Sequence, residues 1–131
     1  VFGCGVDIEE LNRFDKFLSN EDDSIMRDIC STRELENLCG NKRVRFALSF
    51  SCKEAFFKAL GVSWTNSNIS WKDIELLFSG QWFEKYRVDF DNYAKEILET
   101  NNARIQEAYF DYNDEFVRFA VVLTKECGTG S

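Results

Sequence analysis

The sequence predicts a single domain that mixes helices with strands, and three observations support this. The chain has 131 residues, a length that suits one hydrophobic core better than two. Apolar residues at helical spacing predict a long helix over residues 42–60, ended by Gly61. Two runs rich in β-branched and aromatic residues, 104–112 and 115–124, predict a hairpin that turns between them.

The remaining elements follow from the same kinds of pattern. Ser31 with Glu34 three positions later forms a capping box, which predicts the start of a helix. In chain order we expect a strand over 1–8, helices over 10–18 and 31–38, a strand over 71–78 and a helix over 91–100. The domain covers residues 1–127, and residues 128–131 are expected to be a flexible tail or a tag remnant.

Composition excludes several classes of function. The five cysteines form no Cys-x-x-Cys pair, which favours reduced thiols in a cytoplasmic protein. The absence of histidine excludes zinc–histidine sites and catalytic triads that use imidazole. No signal peptide or long apolar run is present, so we expect neither secretion nor membrane spanning. The net charge of −7 argues against nucleic acid as the main partner.

Two acidic residues follow the apolar run at the start of the chain. Asp7 and Glu9 alternate along the predicted strand, so their side chains project from the same face. Two interpretations stay open for such a pair. The acids are solvated groups at the end of a strand, or they are oxygen ligands for a hard cation such as Mg²⁺.

A third carboxylate interrupts the apolar stripe of the long helix. At about 100° per residue, Glu54 lies roughly 40° from Phe50 and about 60° from Phe57 around the helix. A carboxylate in such a stripe is costly unless it is partnered or bound to a cation. Glu54 either pairs with Lys58 one turn later, or it joins Asp7 in a functional site.

Taken together, these residues favour metal-assisted phosphate transfer. Asp7, Glu9 and Glu54 are suited to hold Mg²⁺, which takes a few carboxylates and keeps positions open for water or substrate phosphate. Lys58 then supplies a positive charge close to that phosphate. The cysteines are poor nucleophiles here, because no histidine is present to activate them.

At these motifs the chain resembles the 4′-phosphopantetheinyl transferases, and in particular their short holo-acyl-carrier-protein synthase type. The signature segment is Phe-Ser-Cys-Lys-Glu-Ala-Phe-Phe-Lys-Ala-Leu-Gly at 50–61. The opening motif is Gly-Cys-Gly-Val-Asp-Ile-Glu-Glu-Leu-Asn-Arg-Phe at 3–14, and residues 31–36 and 71–75 resemble the flanking segments. Motifs in this order over most of the chain make a chance match improbable.

The resemblance implies an α+β fold in which an antiparallel sheet packs around the long helix. It implies the single-half type of this fold, which assembles as a homotrimer with coenzyme A between subunits. The implied reaction uses Mg²⁺, or Mn²⁺ in its place, to move 4′-phosphopantetheine from coenzyme A to a serine of an apo acyl carrier protein. The product beside the holo carrier protein is adenosine 3′,5′-bisphosphate.

The resemblance also assigns roles to individual residues. Asp7 and Glu54 match the metal-ligand positions, and Glu9 matches a third ligand of the longer members. Glu54 is also the implied general base, and Lys58 neutralises the pyrophosphate of coenzyme A. Arg13 matches a position that faces the carrier protein.

Coenzyme A contacts are expected from a second set of residues. Besides Lys58, these are Gly61 after the long helix and the basic run Lys42, Arg43 and Arg45, a candidate site for the 3′-phosphate or an acidic carrier helix. The chain departs from the family pattern here, with Gly61-Val62-Ser63 where Gly-Thr-Gly is common and no histidine in the last hairpin. We therefore expect an active but divergent transferase.

Three other interpretations remain. One is a different metal-dependent phosphate-transfer activity on the same scaffold. Another is a non-catalytic module that binds coenzyme A or a carrier protein. The last is a domain without any site, in which the ion pair with Lys58 alone explains Glu54.

Overall fold

The computed structural model of the chain describes residues 2–19, 24–38, 41–62, 69–79 and 85–126. The predicted tail at 128–131 lies outside these residues. The described elements, in chain order, are β1 (Gly3–Glu10), α1 (Asn12–Ser19), α2 (Ser24–Ile29), α3 (Thr32–Glu36), α4 (Lys42–Leu60), β2 (Ile74–Ser79), β3 (Lys85–Phe90), α5 (Asn92–Thr100), β4 (Ala103–Tyr112) and β5 (Phe116–Lys125).

The strands pair in antiparallel fashion and form two sheets. β1, β5 and β4 form a three-stranded sheet in that spatial order, and β2 and β3 form a separate hairpin. In the larger sheet Asp7 lies opposite Phe119 and Glu9 lies opposite Val117. The α+β class expected from the sequence is confirmed, with the strands divided between two sheets.

The long helix α4 is the centre of the molecule. Its bounds, Lys42–Leu60, are those predicted, because both of its ends carry specific caps. The Asn41 side chain accepts a hydrogen bond from the Val44 N–H at 3.2 Å. Gly61 ends the helix with φ +71°, a left-handed conformation that favours glycine. α4 packs against β1, β5, β2 and α1, and most of its residues are buried.

Two glycines let β1 lie directly against α4. A Cβ atom added at Gly3 would lie 1.9 Å from the Ala59 carbonyl oxygen, and one at Gly5 would lie 2.0 Å from that of Ala55. Any larger residue would therefore push the strand away from the helix. The close approach is held by Ser51, whose hydroxyl donates to the main-chain carbonyl of residue 7 at 3.0 Å.

Two described elements were not predicted from the sequence. α2 is only six residues long, too short to give a periodic signal. β3 alternates polar and apolar residues over Lys85–Phe90, and this alternation is the sequence signal by which the strand could have been predicted. β2 begins later than expected because Trp71–Asp73 forms a 3₁₀ turn capped by Ser70.

Two sequence expectations about the whole molecule can be compared with the described residues. Cys4, Cys30 and Cys52 are free thiols, as expected, with Cys4 exposed and the other two buried. Burial raises the pKa of the Cys30 thiol to about 12, so it stays protonated at neutral pH. None of the described helices is long and apolar enough to cross a membrane.

Candidate active site between β1 and α4

The site begins on the inner face of β1. Successive residues of a strand point to opposite faces, and here Asp7 and Glu9 point inward, 7% and 9% exposed. Val6 and Ile8 point outward and are 51% and 58% exposed. The two acids predicted to share a face therefore do so, and that face is the one that packs on α4.

Glu54 reaches this face from α4. It is half-buried, and burial together with the nearby charge of Asp7 raises its pKa. Within the described part of the chain, the Glu54 carboxylate has no hydrogen-bond or ion-pair partner. Lys58 instead donates to the Val6 carbonyl oxygen at 2.9 Å and lies 3.4 Å from Asp7 Oδ1. The alternative in which Glu54 merely pairs with Lys58 is therefore not the arrangement observed.

Glu9 differs from Glu54 because it has a cationic partner. Arg13 Nη1 donates to Glu9 Oε2 at 2.9 Å. Burial and the charge of Asp7 nevertheless raise the pKa of Glu9 to about 7, against the lowering effect of Arg13. Desolvation and a neighbouring like charge thus outweigh one ion pair.

Asp7, Glu9 and Glu54 together are called the open acidic centre below. Asp7 Oδ2 is buried and has no hydrogen-bond donor among the described residues. An uncompensated buried carboxylate oxygen is costly, and a bound cation would remove that cost. Among the described residues, no three side chains of the histidine, cysteine, aspartate or glutamate type lie close enough together to hold a metal ion as they stand. The donor set nonetheless fits Mg²⁺, which binds through one or two carboxylates and several waters.

Comparison with known proteins identifies the family of the chain. Residues 3–113 match the family model of the 4′-phosphopantetheinyl transferase superfamily. The chain belongs to this superfamily. It is 32% identical over 127 residues to a holo-[acyl-carrier-protein] synthase from Bacillus mycoides, covering 94% of this chain and 95% of that one.

A second relative matches a shorter stretch at higher identity. The holo-[acyl-carrier-protein] synthase of Geotalea daltonii is 39% identical over 79 residues, which is 59% of this chain. The match spans 62% of the length of that relative.

Solved structures of the superfamily share the fold. The holo-[acyl-carrier-protein] synthase from Neisseria meningitidis superposes with a TM-score of 0.82 at 23% identity, over 95% of this chain and 99% of that one. The enzyme from Helicobacter pylori in complex with coenzyme A gives a TM-score of 0.71 at 24% identity, over 92% and 99%. At these identities the likeness establishes the fold.

The basic run that follows Asn41 does not form one cluster in this member of the superfamily. Lys42 is exposed at the start of α4. Arg43 donates from Nε to Asp15 Oδ1 at 2.7 Å, and this hydrogen bond lowers the pKa of Asp15. Arg45 is buried and donates to the Asn37 carbonyl oxygen at 2.6 Å, where it joins α3 to α4. Because Arg45 is buried and bonded to α3, it is left out of the coenzyme A contacts proposed below.

A second acidic centre, which the sequence analysis did not predict, lies elsewhere on α4. Lys53, which is fully buried, donates to Glu34 Oε1 at 2.7 Å and to the Ile74 carbonyl oxygen. Glu34 Oε2 accepts from the Ser49 hydroxyl at 2.6 Å and from the Leu76 N–H at 3.1 Å. Glu34 with Lys53 is called the closed acidic centre, because both of its charges are compensated.

The capping box was the only sequence signal for Glu34. That prediction is confirmed, since Glu34 Oε1 accepts from the Ser31 N–H at 3.1 Å and the Ser31 hydroxyl accepts from the Glu34 N–H at 3.2 Å. The pairing with Lys53 depends on tertiary contact across 19 positions. Local spacing does not indicate such a contact.

Proposed function

We propose that the protein transfers 4′-phosphopantetheine from coenzyme A to a serine of an apo acyl carrier protein, with Mg²⁺ bound at the open acidic centre. The observation that carries this proposal is Asp7 Oδ2, buried and without a donor in the described residues, with Glu54 of α4 near enough to be affected by the charge of Asp7. The names of the relatives from Bacillus mycoides and Geotalea daltonii support the same reaction.

Asp7 and Glu54 are the residues that would hold the metal, with Glu9 next to them. When bound, Mg²⁺ would supply positive charge for the phosphate oxygens, and Mn²⁺ is expected to replace it. The three carboxylates bring more negative charge than Arg13 and Lys58 offset. This excess of negative charge favours the binding of a divalent cation at the centre.

Glu54 and Lys58 would act directly on the reacting groups. In the proposed reaction the serine oxygen bonds to the phosphorus that carries the pantetheine arm, and the bond to adenosine 3′,5′-bisphosphate breaks. Glu54 would accept the proton of the serine hydroxyl, as its position beside Asp7 at the reacting groups suggests. Lys58, 52% exposed beside Asp7, would neutralise charge on the pyrophosphate.

We also propose which surface residues contact the carrier protein and coenzyme A. Arg13 is 57% exposed on α1, so part of its guanidinium remains available to an acidic carrier protein. Lys42, Arg43 and Gly61 remain proposed contacts for coenzyme A at the two ends of α4. The location in the cytoplasm also remains a proposal, supported by the free thiols.

The outer face of the larger sheet supports the proposed homotrimer. Val6, Ile8, Tyr109 and Phe116 are 51%, 58%, 46% and 37% exposed, which is unusual for large apolar residues. These residues point away from the acidic centre, so a second copy can cover them without covering Asp7. Light scattering should give about three times the chain mass of 15.3 kDa, and Ile8→Asp should shift the protein toward one copy.

The proposed reaction is tested by mass spectrometry of a panel of apo carrier proteins incubated with coenzyme A and Mg²⁺. We expect a gain of about 340 Da on one carrier, the mass of the transferred arm, and loss of that gain with chelator. Glu54→Gln should abolish the gain. Glu96→Gln, which removes an exposed carboxylate on α5, is the matched control and should keep it.

A different outcome would select the binding module. If coenzyme A binds tightly but no carrier gains mass, the protein recognises coenzyme A without transferring its arm. If Glu54→Gln transfers as fast as the unmodified chain, the role assigned to the acidic centre is wrong.

A further inference from the structure

Arg13 lies where the open acidic centre meets helix α1. Its guanidinium donates to Glu9 Oε2 at 2.9 Å across the turn between β1 and α1. The same guanidinium lies 5.3 Å from the centre of the Phe50 ring and 5.9 Å from that of Phe14. An arginine held by one carboxylate and two aromatic faces has a fixed position, although half of its side chain is exposed.

The contacts of the three carboxylates are unequal. Glu9 has a direct cationic partner, and Asp7 has the longer contact of 3.4 Å from Lys58 to Oδ1. Asp7 Oδ2 and the Glu54 carboxylate have no partner among the described residues. The three acids therefore differ in how closely a cation approaches them: Glu9 Oε2 has Arg13 at 2.9 Å, Asp7 Oδ1 has Lys58 at 3.4 Å, and Glu54 has no ion pair in the described structure.

Glu9 is the acid of the centre that already has a close cation, Arg13, at 2.9 Å. It is buried beside Asp7, so without Arg13 the two carboxylates would share a desolvated space with only the 3.4 Å contact from Lys58 to Asp7 as compensation. With Arg13 in place, the negative charge of the two carboxylates is reduced by one. A divalent ion would have to displace this guanidinium before Glu9 Oε2 became a ligand.

We propose that Arg13 is the resident counter-ion of Glu9 and thereby a positioning residue of the metal site, which reserves Asp7 and Glu54 for the metal. This inference rests on the proposed function, since it concerns the same metal. It assigns Glu9 a role outside the ligand shell. It also gives Arg13 a role that does not involve the carrier protein.

The test is a titration of the purified full chain with Mn²⁺, with free Mn²⁺ measured by electron paramagnetic resonance and no substrate present. Glu9→Gln should bind Mn²⁺ within about threefold of the unmodified chain, whereas Asp7→Asn and Glu54→Gln should lose binding. Arg13→Gln should bind on the order of tenfold tighter, because Glu9 becomes an uncompensated charge next to the metal. Arg13→Lys should stay close to the unmodified chain.

Two further variants separate a local effect from a general change of charge. Lys16→Gln removes a positive charge from the same helix, where Lys16 lies over the Phe17 ring at 5.1 Å, and should change Mn²⁺ affinity less than about twofold. The double variant Arg13→Gln with Glu9→Gln should return to the affinity of the unmodified chain. This return is expected only if Arg13 acts through Glu9.

Several results would overturn the inference. Loss of Mn²⁺ binding in Glu9→Gln, with binding intact in the unmodified chain, would make Glu9 a ligand and leave the proposed transfer reaction standing. An unchanged affinity in Arg13→Gln would remove the role of Arg13. Failure of the unmodified chain to bind Mn²⁺ would overturn both this inference and the metal site of the proposed function.

Discussion

The two acidic centres on α4 contain the same chemical groups but differ in how their charges are compensated. In the closed acidic centre every oxygen of Glu34 has a donor, and Lys53 is fully buried with two acceptors. In the open acidic centre Glu54 and one oxygen of Asp7 lack partners in the described structure. The first arrangement stabilises the fold, whereas the second leaves negative charge for a ligand.

This difference shows that burial of a charged side chain does not by itself identify a functional site. Lys53 and Glu54 are neighbours in sequence, yet α4 turns them to different faces. Glu34 is more deeply buried than Glu54 but has every hydrogen bond that its carboxylate needs. Glu54 has no partner among the described residues, and Asp7 Oδ2 beside it is buried without a donor; we propose that this difference separates a carboxylate that binds a ligand from one that stabilises the fold.

The largest expected effect comes from neutralising the open centre. Asp7→Asn and Glu54→Gln should each slow transfer to the carrier protein by about a thousandfold or more, because charge stabilisation of the reacting phosphate is lost. Single-turnover transfer measured by mass spectrometry checks this. Circular dichroism should show an unchanged fold, and transfer above a tenth of the original rate in both variants would contradict the assignment.

Removing one partner of the closed centre should instead damage stability. Lys53→Met should lower the free energy of unfolding by about 3–5 kcal/mol, since Glu34 would be left buried without its cation. Urea unfolding measures this. The double variant Lys53→Met with Glu34→Gln should be more stable than Lys53→Met alone, and a further loss of stability would show that the pair is not the cause.

The approach of β1 to α4 can be altered without touching a charge. Gly5→Ala places a methyl group 2.0 Å from the Ala55 carbonyl oxygen and should destabilise the fold by about 1–3 kcal/mol as the strand moves away. Because β1 carries Asp7, transfer should fall as well. Cys4→Ala, at an exposed neighbouring position, is the control, and equal effects of both changes would refute the packing argument.

The smallest effect concerns a carboxylate outside both centres. Glu75 accepts from Arg33 at 2.7 Å and from the Ser31 hydroxyl at 2.6 Å, and chiefly the bond from Arg33 lowers its pKa. Its stabilisation is therefore complete above the unfolded pKa and is lost as the pH falls through the lower folded pKa. Glu75→Gln should cost about 1 kcal/mol at pH 7.

The pH dependence is the control for that prediction. The difference in unfolding free energy between the unmodified chain and Glu75→Gln should shrink below about pH 4, as both states protonate the group. Urea unfolding over a pH series measures it. A difference that stays constant down to pH 2 would show that the charge of Glu75 makes no contribution.

The sequence predicts the parts of this molecule that depend on local spacing. The bounds of α4 follow from Asn41 and Gly61, and the pairing of Asp7 with Glu9 on one face follows from strand alternation. The charge chemistry and the family motifs predict that Glu54 joins them; Glu54 does lie close enough to Asp7 for that charge to raise its pKa, and the set of three metal ligands stays a prediction. All of these signals lie within short windows of sequence.

The features that were missed depend on tertiary contact or on helical phase. Lys53 finds Glu34 only because α3 and α4 pack together, which no local pattern encodes. Lys42, Arg43 and Arg45 are close in sequence, but Arg43 and Arg45 are about 200° apart around a helix. One therefore reaches Asp15 at the surface while the other is buried beside Asn37.

The most direct test of the contrast between the centres is the thermal unfolding of two variants by calorimetry, without metal or coenzyme A. Burial and a like charge raise the pKa of Glu54, so its ionised form opposes folding at neutral pH. Glu54→Gln should therefore melt at or above the temperature of the unmodified chain, and Lys53→Met should melt about 10–20 °C below it. If Glu54→Gln melts as low as Lys53→Met, the open centre is structural and the account is contradicted.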